Sequence, residues 1–193
     1  TPVRALAKLI LGDRSPDLGR AATGDRRSYA VVWDMNVLFE EYVGRVCQDI
    51  LGPKGLDVDL QEVGSLHLAE EAETRRRTFL LRPDILVRKG RSPRVVADTK
   101  WKRLDPRKAD LGVSGEDVYQ VLAYAHRYAT DTAVLIYPHH AAVGRPGPQR
   151  DFVIQGGGAA PVVVRVMTVD LARLERMPGE VEEAVGGGCG DRA

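Results

Sequence analysis

A chain of 193 residues, 44% hydrophobic and 28% charged, can form one ordinary globular domain with a sizeable core. No apolar run approaches the about 18 residues of a membrane span, and no signal-peptide pattern opens the chain. Two cysteines, Cys47 and Cys189, exclude a disulfide framework and a four-cysteine metal or iron–sulfur site, so a cytoplasmic protein is expected.

The net charge of +1 does not itself call for a polyanion, but the charge is unevenly spread. Between Arg75 and Lys108 stand thirteen basic residues and only three acids, Asp84, Asp98 and Asp105. Such a stripe attracts phosphates. Its bland alternative is a solvated surface balanced by Glu70, Glu71 and Glu73.

In chain order, residues 3–11 have the pattern of a short amphipathic helix, and 12–30, rich in Gly, Asp, Arg and Ser, read as a loop. A helix is predicted from Asp34, its cap, with Phe39, Tyr42, Val43, Val46, Cys47, Ile50 and Leu51 at helical spacing; Gly52-Pro53 ends it. Residues 56–60 alternate as a strand and 62–68 predict another. TFLLRPDILV and PRVVADTKW read as two strands around a Lys-Gly-Arg-Ser-Pro turn. A second helix starts at Ser114, with Asp117 in the capping-box position. Residues 132–138 are a buried strand, HHAAVGRPGPQR a loop, FVI and PVVVRVMTV two further strands, and a short helix follows from Asp170. The order implies an α/β sandwich with a mixed sheet. The expected divisions are 1–33 as a lead-in, 34–186 as one domain and 187–193 as a flexible Gly-rich tail. A chain that opens on Thr1 rather than Met is expected to be a trimmed or processed piece of a longer protein.

The hairpin carries the chemistry. If Arg88 pairs with Arg94, Asp84 lies opposite Asp98 with Cβ atoms roughly 5 Å apart, and Lys100 shares the face of Asp98. Facing carboxylates repel, so either one is protonated or a divalent cation lies between them; Mg²⁺ suits a few carboxylates plus water and phosphate oxygens. Lys100 is then placed to hold an attacking water or a transition-state oxygen. The alternative is a surface hairpin whose acids pair with arginines. Glu40 borders the apolar stripe of the first helix with Val43 and Cys47, and can lean toward the sheet or simply face solvent; Glu41 is expected to point away. Gln120 and Tyr124 share one face of the second helix, as phosphate or water contacts or as a flanking polar residue and a core aromatic. His139-His140 lacks a third ligand at recognisable spacing, His67 and His126 are isolated, Cys47 falls on an apolar face, and Gly156–Gly158 is no phosphate loop.

Pro83-Asp84, Asp98-Thr99-Lys100 and Gln120-Val-Leu-Ala-Tyr124 together resemble the PD-(D/E)XK nuclease superfamily in its QxxxY subgroup. DMNVLFEEYV, RPDILV, ADTKWK and DVYQVLAYA followed by AVLIYP are further similar to the nuclease domain of McrC, the nuclease subunit of modification-dependent McrBC restriction systems. The likeness runs from about Asp34 to Pro138. It implies a PD-(D/E)XK core with a mixed central sheet flanked by helices, and a Mg²⁺-dependent DNA endonuclease (Mn²⁺ a possible substitute). Asp84, Asp98, the Thr99 main-chain carbonyl and Glu40 would ligate the ion; Lys100 would orient the water, Gln120 would position its surroundings, and Tyr124 would contact a phosphate. Lys102, Arg103 and Arg75, Arg76 and Arg77 would grip the backbone of double-stranded DNA. The implied partner is a McrB-like AAA+ GTPase, and double-strand cleavage would take two copies of the chain. The family usually carries an additional N-terminal region that engages McrB, where only about 33 residues precede the match here. A repair or recombination nuclease of the RecB type, and a non-catalytic DNA-binding scaffold with the same fold, are the competing readings.

Overall fold

Asp34 opens the first helix as predicted: its Oδ1 accepts from the Asn36 N–H at 2.9 Å, satisfying one of the free donors of the first turn. In this computed structural model, which describes residues 34–61, 66–155, 160–173 and 177–183, that helix is α1 (Met35–Leu51). The helix expected at 3–11, the loop at 12–30 and the Gly-rich tail lie outside the described residues.

Along α1 the buried positions Phe39, Val43, Cys47 and Leu51 recur every four residues, which makes one continuous apolar face. Gly44 lies on it because the helix runs close to the sheet: a Cβ there would come within 2.8 Å of Leu60 Cδ2.

Among the described residues eight strands follow: β1 (Asp57–Leu60), β2 (His67–Glu70), β3 (Arg77–Leu80), β4 (Ile85–Lys89), β5 (Ser92–Thr99), β6 (Thr132–Pro138), β7 (Gly147–Ile154) and β8 (Val162–Val169). Helix α2 (Gly115–Tyr128) connects β5 to β6, and a short helix α3 (Met177–Val181) follows β8. Six strands make one mixed sheet in the order β1-β4-β5-β6-β8-β7. β5, β6 and β8 are parallel, as a helical crossover permits; β1, β4 and β7 join antiparallel at the flanks.

Both faces are covered. Ile85, Val87, Val95, Ala97, Val134 and Ile136 pack toward α1 and α3, while Leu86, Val96, Leu135, Val164 and Val166 pack toward α2. Burial on both sides is why the central strands are continuous apolar runs rather than alternating ones. The architecture is thus the expected mixed α/β sheet flanked by helices.

Several boundaries differ from expectation. TFLLRPDILV is not one strand: Arg77–Leu80 pair with His67–Glu70 in a separate two-stranded ribbon, and the chain re-enters the main sheet only at Ile85. Pro83 lies in the break, where its missing N–H removes no ladder bond. The ribbon is tied to α2 by the Arg127 Nε–H donating to the His67 carbonyl at 2.8 Å. Of the strand expected at 62–68, residues 62–65 lie outside the described residues; among those described, β2 starts at His67 and runs on to Glu70. The β4–β5 turn is shorter than predicted. Lys89 pairs with Ser92 and Arg88 with Pro93, not with Arg94, and Gly90 takes the left-handed φ of +61° that a two-residue loop requires. A register shift between Val87 and Arg88 absorbs the difference, so Ile85–Ala97, Leu86–Val96 and Val87–Val95 keep the predicted pairing. The loop expected after His139 ends early, because β7 already starts at Gly147. The last helix begins at Met177, not Asp170, whose N–H is held by Glu180 Oε2 at 3.0 Å.

Candidate active site

Where β5 ends and β4 begins, the alternation of side chains places Asp98 on the α2 face, in line with buried Val96. Asp98 is only 2% exposed. Lys100 Nζ stands 2.5 Å from its Oδ2, and that oxygen has no hydrogen bond of good geometry. Burial first, and the neighbouring Asp84 carboxylate second, push the Asp98 pKa up to about 6 against the pull of Lys100. For Lys100 burial acts downward, but Asp98, Asp117 and Asp84 outweigh it and hold the ammonium above its ordinary value. It is therefore a fixed cation.

Asp84 is clamped onto the end of β5: the Thr99 N–H and hydroxyl donate to its Oδ2 at 2.7 and 2.8 Å. Both bonds use one oxygen, so the other can ligate. Among the described residues neither acid pairs with an arginine: Asp84 meets Thr99 and Asp98 meets Lys100. Glu40 reaches the same place from α1. Burial and then Asp84, close enough to share a proton, raise its pKa, opposed by the Gln61 amide and by Arg82. Phe39 and Trp101, ring centroids 5.5 Å apart, tie α1 to the chain just past Lys100. Glu41, expected to point away, lines the same cleft as Glu40, Arg45, Leu60, Gln61 and Asp84.

The α2 residues come from the other side. Lys100 Nζ donates to Gln120 Oε1 at 2.9 Å, Gln120 Nε2 donates to the Tyr124 hydroxyl at 2.9 Å, and that hydroxyl donates to the Arg82 carbonyl at 3.1 Å. Tyr124 is thus buried by its ring while its hydroxyl braces the loop leading to Asp84. The structure brings together Glu40, Asp84, Asp98, Thr99, Lys100, Gln120 and Tyr124.

Three participants escaped the sequence reading. Asp117 receives Lys102 Nζ at 2.9 and 3.0 Å and the Tyr137 hydroxyl at 3.4 Å, and lies 3.9 Å from Lys100 Nζ. Its capping role is half as expected: Ser114 Oγ accepts from the Asp117 N–H, but the Asp117 carboxylate turns to the lysines. Its spacing to Gln120 and Tyr124 on one helix face was the available signal. Gln61 and Arg82, bridging to Glu40, carried no local signal.

The outlying basic residues are less uniform than the stripe suggested. Arg75 pairs with Glu70 at 3.0 Å and Arg77 lies 4.0 Å from the same carboxylate, at the ribbon tip with Arg76. Lys102 is held by Asp117, and Arg103 reaches His140 Nδ1 at 3.4 Å. That contact and the 2.9 Å approach of His140 Nε2 to the Leu104 carbonyl fit a tautomer protonated at Nε2. His139 instead meets Thr168 Oγ1 at 3.2 Å, so the two histidines diverge.

Among the described residues no three His, Cys, Asp or Glu side chains converge as a ligand set. The acids stand as two pairs, Glu40 with Asp84 and Asp84 with Asp98. A pair is what a hard ion such as Mg²⁺ needs, since it fills its remaining positions with water and substrate oxygens. The like-charged neighbours Glu40, Asp84 and Asp98 and the all-oxygen donors fit such an ion.

A family model described as McrBC 5-methylcytosine restriction system component matches residues 1–138. None of the curated proteins matches the chain. Among solved structures, the chain is similar to one in the half-complex of Thermococcus gammatolerans McrB AAA+ hexamers with bound McrC, with a TM-score of 0.54 and 20% identity. The likeness covers 80% of this chain and 33% of that one, so this chain spans about a third of its length. At that identity it shows the fold alone.

Proposed function

The chain belongs to the family of McrBC 5-methylcytosine restriction system components, and from that premise we propose that it is the DNA-cutting part of such a system, a metal-dependent endonuclease of the PD-(D/E)XK type. The observation that carries the reading is the Asp84–Asp98 pair at the end of one hairpin, with the Lys100 ammonium against Asp98. A buried carboxylate facing a second, half-buried one across a hairpin is a costly arrangement unless it serves a charged ligand.

Asp84 and Asp98 would hold the ion with the Thr99 carbonyl, and Glu40, which pairs with Asp84 rather than with Asp98, would act on it directly or through a water. Mg²⁺ bound there supplies charge neutralisation at a scissile phosphate and a water of lowered pKa. Lys100, fixed by Gln120 and unable to give up its proton at neutral pH, donates to an oxygen of the reacting phosphate rather than acting as a base. Tyr124 braces the Arg82–Asp84 segment through its hydroxyl. Arg103 flanks the site as a contact to a neighbouring phosphate, which positions the duplex without reading its sequence, while Lys102, held by Asp117, has less to give. A McrB-like AAA+ GTPase is the proposed partner, since the structurally similar assembly contains McrB hexamers, and cutting both strands would take two copies of this chain.

The test is cleavage of a circular, cytosine-methylated plasmid with Mg²⁺, the partner GTPase and GTP. Asp98→Ala and Lys100→Ala are each expected to lose at least about 100-fold in rate while remaining folded; Tyr124→Phe, which removes the two hydrogen bonds of the hydroxyl, loses less, about ten- to thirtyfold. A folded Asp98→Ala variant that cuts as the parent does would refute the assignment. Degradation of linear DNA with the circle spared would instead point to an end-dependent nuclease of the RecB type.

A further inference from the structure

Gln61, one residue past β1, touches three residues at the candidate centre, Glu40 on α1 and Arg82 and Asp84 on the segment before β4. Its N–H donates to the Asp84 carbonyl at 2.9 Å, extending the β1–β4 ladder one step beyond the Leu60–Ile85 pair. Its Nε2 donates to Glu40 Oε1 at 2.6 Å, and its Oε1 accepts from Arg82 Nη2 at 2.6 Å. A single amide therefore faces a carboxylate with its donor and a guanidinium with its acceptor, so its orientation is fixed by charge on both sides. The backbone there has φ of +46°, a left-handed conformation that a glutamine adopts only when the surroundings impose it. Without the bend the side chain would follow the strand away from the cleft that Glu40, Leu60, Gln61 and Asp84 line.

We infer that Gln61 is a positioning residue for the cation site: it holds the Glu40 carboxylate beside Asp84 and parks the Arg82 guanidinium at the cleft. Glu40 sits on a helix and Asp84 on a strand start, and they would repel; the Gln61 amide is the neutral link that keeps them within reach of one ion. Hydrogen bonds behind a ligating carboxylate fix its direction, and losing one typically costs 10–100-fold in metal affinity. This inference rests on the metal-dependent reading above.

The experiment is calorimetric titration of the whole chain with Mn²⁺, without DNA, so that turnover plays no part. Gln61→Leu, which removes both hydrogen bonds, is expected to weaken Mn²⁺ binding about tenfold or more. Gln61→Asn tolerates positive φ at least as well, which protects the fold, but its amide is one methylene too short to span Glu40 and Arg82; the same loss is expected. Because Gln61 acts through Glu40, the double variant Glu40→Gln with Gln61→Leu should bind no more weakly than Glu40→Gln alone. Additive losses, or parental affinity in Gln61→Asn while Asp98→Ala has lost binding, would overturn the role of Gln61 only. Parental affinity in Asp98→Ala, or a parent that binds no Mn²⁺, would overturn the cation site itself and this inference with it.

Discussion

Asp98 Oδ2 has an ammonium 2.5 Å away and almost no access to water, and its pKa of about 6 lies above the 3.8 of a free aspartate. The sign of the consequence follows. A carboxyl whose folded pKa is raised stabilises the metal-free fold below its unfolded pKa, and that contribution is lost as pH rises through about 6. Metal-free parent protein should therefore melt lower at pH 7.5 than at pH 5, as far as this group is concerned. Asp98→Asn, uncharged throughout, should melt higher than the parent at pH 7.5 in EDTA. The gap is at most about 3 kcal/mol for a shift of this size and closes toward pH 4. Differential scanning calorimetry across that range checks it; a variant that is less stable at pH 7.5 would contradict the charge strain. Gaining stability while losing cleavage is the pattern of a residue kept for chemistry.

Elements decide how these residues meet. Ser114 caps α2 by accepting from the Asp117 N–H at 3.1 Å, and the first turn it fixes carries the Asp117 carboxylate that Lys102 grips. Ser114→Ala should cost about 1 kcal/mol, a fall in Tm of about 2–4 °C in a chain of this size, visible by thermal circular dichroism. Most elements could be read from sequence because their signals are local: the Asp34 cap, the four-residue spacing of Phe39, Val43, Cys47 and Leu51, the continuous apolar run of β6. The ribbon was misread because Thr78, Phe79 and Leu80 are as strand-like as Ile85, Leu86 and Val87, and nothing in either run says which sheet it joins. Phe79 ends up 72% exposed with φ of +57°, against every preference an aromatic residue brings.

At the scale of the whole molecule, the near-zero net charge hides a division of labour among the basic residues. Those engaged by carboxylates have less to offer DNA. Arg103→Ala is expected to lower the salt dependence of DNA binding by about one phosphate contact, and Arg75→Ala by less, because Glu70 already holds that guanidinium. Fluorescence anisotropy across a salt series measures both slopes; equal slopes for parent and Arg103→Ala would remove that residue from the interface. The candidate site was largely legible because Asp84, Asp98 and Lys100 lie on one hairpin, where period-two geometry alone relates them, and Gln120 and Tyr124 on one helix face. Asp117, Gln61 and Arg82 were not, because their roles depend on how separate elements approach one another and on a backbone bend at Gln61 that no residue preference announces.

The register shift between Val87 and Arg88 divides the pairing of the hairpin into two stretches, each with its own alignment. Pairing from Ile85 to Val87 sets the spacing of the acids, while the Gly90–Arg91 turn at the opposite end is exposed and has its own alignment. That turn is consequently a handle. A fluorophore or a short peptide tag at Arg91 could be attached without retuning the distance between Asp84 and Asp98, allowing the arrival of DNA or of a partner to be followed in a protein whose chemistry is left alone.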